Sequence, residues 1–115
     1  MNNKKLLGNQ GEIAAERWLR EKNYQIIEKN IRFGNYEIDL IAKINNIFVF
    51  VEIKTGHFLP GDLPLKKKQQ KFLKRACVKY CEMNNIKPEN SRFDLIIITP
   101  IKTFARIEHL INLWG

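Results

Sequence analysis

From Glu37 to Lys54 the chain alternates and then saturates with β-branched and aromatic residues, Glu-Ile-Asp-Leu-Ile-Ala-Lys-Ile followed by Ile-Phe-Val-Phe-Val-Glu-Ile-Lys, on either side of Asn45-Asn46. Two apolar runs around a pair of asparagines predict a β-hairpin, because Asn tolerates the positive φ of a tight two-residue turn. With the turn at that pair, Ile44 faces Ile47, Asp39 faces Glu52 and Glu37 faces Lys54. Phe48, Phe50, Glu52 and Lys54 then share one face of the second strand, and Val49, Val51 and Ile53 the other. A strand that is apolar on both sides is a central one.

The rest of the pattern places helices and strands around this hairpin. Asn9 to Lys22 predicts a helix, with Asn9 as its cap and Ala14, Ala15, Trp18 and Leu19 as its apolar face. Tyr24–Ile27 and Ile31–Phe33 read as two short strand segments, and Gly34-Asn35 as the turn before the hairpin. Two Gly and two Pro between Thr55 and Pro64 demand a loop. Leu65 to about Met83 is helical, with Phe72, Leu73, Ala76, Cys77, Tyr80 and Cys81 on its apolar side. Phe93–Ile98 is a continuous apolar strand with a parallel neighbour, since a helix leads into it. Ala105–Leu110 is an edge strand, and Ile111, Leu113 and Trp114 either close the core or meet a second copy. The sum is one α/β domain over residues 1–115, a mixed central sheet flanked by helices.

Composition narrows the class. A chain of 115 residues with 44% hydrophobic and 28% charged residues is an ordinary globular domain. Without a transmembrane stretch or a signal-peptide core, the expected location is the cytoplasm. Cys77 and Cys81 read as buried reduced thiols, there being no nearby histidine ligands. The net charge of +8 is concentrated: residues 66–79 hold seven Lys or Arg and no acid. On a helical wheel Lys67, Lys68, Lys71, Lys74, Arg75 and Lys79 fall on the side opposite the apolar face. Same-sign side chains repel, so such a face points to a polyanion partner, and phosphate contacts from it would carry no sequence information.

Candidate chemistry sits on the hairpin. Asp39 and Glu52 opposed on one face would place like charges about 4.5–5.5 Å apart, a destabilising pair unless a cation lies between them. Carboxylates with phosphate and water are the usual setting of Mg²⁺ (or Mn²⁺), and Lys54 projects to the same face. Two acids and a lysine suffice for metal-assisted phosphodiester hydrolysis. The bland alternative is a solvated hairpin face with cross-strand ion pairs. Arg32 could touch phosphate or make a surface ion pair. His57 is a candidate base or simply solvated. Asp94 beside Arg92 reads as a structural ion pair. Glu12, three residues after Asn9, is either a capping-box acid or a carboxylate aimed at the hairpin.

An Asp, a hairpin's worth of residues and Glu-x-Lys resemble the PD-(D/E)xK nuclease superfamily. The wider pattern is Gly8-x-x-Gly11-Glu12-x-x-Ala15, Asn30-x-Arg32, Glu37-Ile38-Asp39-Leu40-Ile41-Ala42, Phe48 to Thr55, Lys68-Gln69-Gln70 and Arg92-Phe93-Asp94. In that order it resembles the YraN-like family of small bacterial proteins, which belongs with the restriction-endonuclease-like folds. The resemblance implies Glu12 as a further metal ligand beside Asp39 and Glu52, and Lys68 or Gln70 near the scissile phosphate. Tyr36 replaces the family's usual Gly, and Gly56 stands where a basic residue is common. The expected function is a metal-dependent endonuclease, structure-specific on branched DNA as one option; a four-way junction would require a homodimer. The alternative is a catalytically silent nucleic-acid-binding module working with a DNA-processing partner. DNA and RNA are not distinguished by these residues.

Overall fold

The protein is described from a computed structural model over residues 3–114. In chain order its elements are α1 (Asn3–Glu21), β1 (Gln25–Phe33), β2 (Tyr36–Ile44), β3 (Ile47–Thr55), α2 (Lys67–Met83), β4 (Ser91–Ile101) and β5 (Phe104–Leu110). Asn45 and Asn46 adopt φ of 48° and 66°, which matches the turn to the strand twist and sets the hairpin register. Ile44 pairs with Ile47, and the ladder continues to Leu40 opposite Val51.

The five strands form one sheet in sequential order. β3 and β4 are parallel and every other pair is antiparallel. The parallel pair is joined through α2, as a parallel connection requires. β3 divides the core in two. Phe50 joins Leu73, Ala76, Cys77, Tyr80 and Cys81 of α2, while Val49 and Val51 join Ala15 and Leu19 of α1. One helix therefore covers each face of a mixed central sheet, the α/β arrangement expected from the pattern. Cys77 and Cys81 are buried free thiols, and burial pushes both above the ordinary thiol range.

Three expectations change. α1 begins by Asn3 instead of Asn9, because Lys4-Lys5-Leu6-Leu7 are good helix formers and let the helix run on ahead of the asparagine. Glu12 thus lies inside the helix, and its capping-box role falls. The two segments around Glu28 are a single strand β1, irregular where its register shifts between Ile26 and Glu28 and where Asn30 takes φ of 55°. Glu37 pairs with Arg32 and not with Lys54.

The third change matters for the site. Ile38 and Ile41 both pack in the α2-side core, whereas Leu40 and Ala42 pack on the α1 side. The period of two slips by one residue at Asp39, and the β2–β3 ladder stops at Leu40 and Val51. Two central strands part where the acids sit.

Candidate active site

Where β2 leaves β3, a backbone donor is freed, and Asp39 takes it: its Oδ2 accepts from Ile53 N–H at 2.8 Å. Glu52, one residue earlier on β3, points toward α2 and is only 5% exposed. Gln69 Nε2 donates to Glu52 Oε2 at 2.9 Å, and Lys54 Nζ stands 3.6 Å from the same oxygen. Glu52 Oε1 is buried with no hydrogen-bond partner. Burial, followed by the adjacent Asp39 carboxyl, pushes Glu52 up to about 9 in spite of Lys54. The structure therefore brings Asp39, Glu52 and Lys54 together, as the hairpin register predicts, although through a splayed junction instead of a regular facing pair.

Glu12 approaches from the other face of the sheet. It lines a cavity of about 330 Å³ with Asn9, Lys29, Asn30, Asp39 and Ile53. Its carboxyl is raised by burial and then by Asp39 and Glu37, against the opposing pull of Lys29. Its position depends on Gly11. A Cβ at Gly11 would lie 1.9 Å from Thr55 Oγ1, so only glycine lets α1 rest on the end of β3. Among the described residues no three carboxylate, histidine or cysteine side chains converge into a ready metal cage. Glu12 faces Asp39 without completing such a cluster. The donor set still fits a hard divalent cation: two oxygen ligands side by side, one of their oxygens buried and unsatisfied.

The basic side chains all lie where the wheel puts them. Lys67, Lys68, Lys71, Lys74, Arg75 and Lys79 are exposed on α2, and none forms an ion pair among the described residues. Arg75 lies over the Phe72 ring, itself stacked on Tyr36 with centroids 4.0 Å apart, and Lys74 lies over Trp114. Gln70 is taken up elsewhere, donating to Leu65 O at 3.0 Å and accepting from Trp114 Nε1 at 3.2 Å. Gln69, between the two residues that the resemblance puts near the scissile phosphate, is the one whose side chain meets Glu52. Arg32 and His57 are exposed.

A second buried carboxylate lies on β4. Asp94 is 0% exposed and is held by Arg92 Nε and Nη2 at 3.0 and 3.1 Å, by His109 Nε2 at 2.7 Å and by Asn112 N–H at 2.9 Å. Trp18 Nε1 donates to His109 Nδ1 at 3.1 Å, so the imidazole proton sits on Nε2 and points at Asp94. Burial would raise Asp94, but hydrogen bonds from His109, Arg92 and Asn112 outweigh it and hold the carboxyl below its ordinary value. The structural role expected for Asp94 is what is found. His109 itself left no sequence signal, being a lone histidine in a strand pattern.

Residues 11–98 match the group described as Uncharacterised protein family UPF0102. A UPF0102 protein of Caldanaerobacter subterraneus subsp. tengcongensis is 41% identical over 117 residues, covering 96% of this chain and 95% of the relative. Another, of Geobacter metallireducens, is 34% identical over 111 residues, covering 94% and 91%. Among solved structures, Pyrococcus furiosus SfsA in complex with Ca²⁺ aligns with a TM-score of 0.42 at 14% identity, over 92% of this chain and 62% of that one. The matched span holds Glu12, Asp39, Glu52, Lys54 and the whole of α2, and the chain belongs to the UPF0102 family.

Proposed function

We propose that this protein binds nucleic acid and is a metal-dependent endonuclease that hydrolyses its phosphodiester bonds, with DNA as the substrate to test first. The observation that carries this reading is the Asp39–Glu52 pair: two carboxyl groups beside each other, with Glu52 Oε1 buried and unpartnered. A buried carboxyl oxygen left unsatisfied beside a second acid costs stability, and such an arrangement points to a site. Asp39 and Glu52 would hold Mg²⁺ or Mn²⁺, and Glu12, which lines a cavity with Asp39, would have to move toward them to serve as a further ligand. When bound, such an ion offsets the two acids, polarises the phosphate and lowers the pKa of water.

The chain's own groups do the rest. Gln69 fixes the Glu52 carboxylate by one oxygen and leaves the other free. Ile53 N–H orients the Asp39 carboxylate in the same way. Lys54 supplies an ammonium beside the acids, suited to orienting the attacking water and to stabilising charge that builds on the phosphate oxygens. Lys67, Lys68, Lys71, Lys74, Arg75 and Lys79 would hold the sugar-phosphate backbone from α2, with Arg32 as a further contact on β1.

The test is incubation of labelled duplex, flap, single-stranded and four-way-junction DNA with the protein, in Mn²⁺ and in EDTA, beside Asp39→Ala/Glu52→Ala. Metal-dependent cleavage lost in the double variant supports the proposal. One observation favours a second reading, a silent binding module acting with a DNA-processing partner: Glu52 Oε2 is already engaged by Gln69 and Lys54. Binding in every lane without cleavage would select that reading. Charge reversal at Lys71, Lys74 and Arg75 should then weaken binding and flatten its salt dependence by nearly one unit of slope per lost phosphate contact.

A further inference from the structure

The segment between β3 and α2 is tethered at both ends. Gly56 N–H donates to Ile98 O at 3.0 Å. Phe58 packs against the α2-side core, and its carbonyl accepts from Arg106 Nη2 at 2.9 Å. At the far end Leu65 is buried and its N–H donates to Leu63 O at 2.8 Å. Between these anchors Leu59-Pro60-Gly61-Asp62 closes a doubly bonded turn. Asp62 N–H donates to Leu59 O at 3.0 Å, and Leu59 N–H donates to Asp62 Oδ2 at 2.9 Å. Pro60 presets the first corner and Gly61, with φ of 89°, supplies the second.

What this rigid turn presents is aliphatic. Leu59 is 73% exposed and Leu63 49%. A single exposed leucine needs no explanation, but these two belong to a preordered segment that joins, along the chain, Lys54 and Gln69, the two side chains that reach Glu52. The segment leaves β3 directly after Lys54 and returns to Lys66, Lys67 and Lys68, three residues exposed to solvent, just before Gln69 reaches Glu52. A basic surface draws in a phosphate backbone. An aliphatic side chain has nothing to gain from phosphate, but it gains from the apolar face of a base. That face is open only where stacking is interrupted or can be opened. A turn already ordered in the free protein loses little entropy on entering such a gap.

We infer that the Leu59–Asp62 turn is a wedge that seats Leu59, flanked by Leu63, against base faces at a break or branch in a duplex. The site's substrate class is then interrupted duplex DNA, such as a nick, flap or junction, in preference to continuous duplex. This rests on the nucleic-acid reading above and deepens it.

The experiment measures affinity in EDTA, so that binding is read apart from cleavage, for a continuous duplex and for the same duplex carrying a flap with 2-aminopurine beside the branch. The full-length protein should prefer the flap and raise the 2-aminopurine fluorescence. Leu59→Ala/Leu63→Ala, at two exposed positions that leave the core intact, should lose about tenfold or more in flap affinity, the factor that burial of a leucine side chain is worth, while duplex affinity stays within about twofold. Equal affinity for the two DNAs, or a preference and a fluorescence rise that survive both substitutions, would overturn the wedge. Cleavage in Mn²⁺ without flap preference would sink the wedge and leave the nuclease reading standing; flap preference without cleavage would do the reverse.

Discussion

Asp94 and Glu52 are buried carboxylates on adjacent strands of one sheet, and they have opposite fates. Val51 pairs with Asp94 and Glu52 with Leu95, so the two acids sit one register step apart and project to opposite faces. Asp94 receives four hydrogen bonds from Arg92, His109 and Asn112 and is held ionised below its ordinary pKa. Glu52 receives one amide donor and a distant ammonium, keeps an unsatisfied oxygen, faces another acid and is pushed up to about 9. Equal burial with unequal satisfaction separates a carboxylate that builds the fold from one kept available for something else.

The comparison breaks most visibly at Asp94. Asp94→Ala leaves the half-buried Arg92 without its counterion and His109 without its acceptor, and a cost of about 3 kcal/mol, the low end for a broken buried pair, is expected in urea unfolding; a loss below about 1 kcal/mol would show that the network is ornamental. Next in size is the response to a divalent ion. Mn²⁺ at one hundred times its dissociation constant should stabilise the native protein by about 2.7 kcal/mol, chelation should reverse this, and Glu52→Gln should not respond. In EDTA the same Glu52→Gln variant should be more stable than the unaltered protein at pH 7, by about 1 kcal/mol or more given what one pKa unit is worth. Glu52 has its folded pKa raised above 4.5, so the native state loses stability as pH climbs from there toward about 9, and the gap between the two proteins should close as pH falls to 4.5. The smallest effect is confined to acid. Asp94 has its folded pKa lowered, so its contribution is present above its unfolded value of 3.8 and is lost as pH falls through the folded one. Asp94→Asn should flatten that acid limb of a melting-temperature profile.

The hairpin was legible in sequence because its determinants are local. Asn45-Asn46 fixes the turn, the turn fixes the register, and the two-sided apolar pattern of Val49, Phe50 and Val51 marks a central strand. The Arg92–Asp94 pair and the exposed basic face of α2 follow from equally short patterns. Features that depend on how elements dock were out of reach. Helical spacing cannot say whether Gln69 or Gln70 meets Glu52, since that depends on the rotation of α2 about its axis over the sheet. Periodicity of two cannot foresee its own slip at Asp39, which arises because β2 leaves β3 while still paired to β1. Nor does the β5 sequence say that His109 will meet Trp18 and Asp94, residues far from it along the chain.

The approach of α1 to β3 at Gly11 has a mechanical side. The 19-residue helix is a beam about 28 Å long, resting at Gly11 on Thr55 and pinned at Trp18 to His109. With the Trp18 end as fulcrum, any thickness added at position 11 lifts the neighbouring Glu12 by nearly the same amount. The spacing between Glu12 and Asp39 is thus gauged by the missing side chain of a glycine, and the fulcrum against which it is set is the Asp94 network under the other end of the same helix.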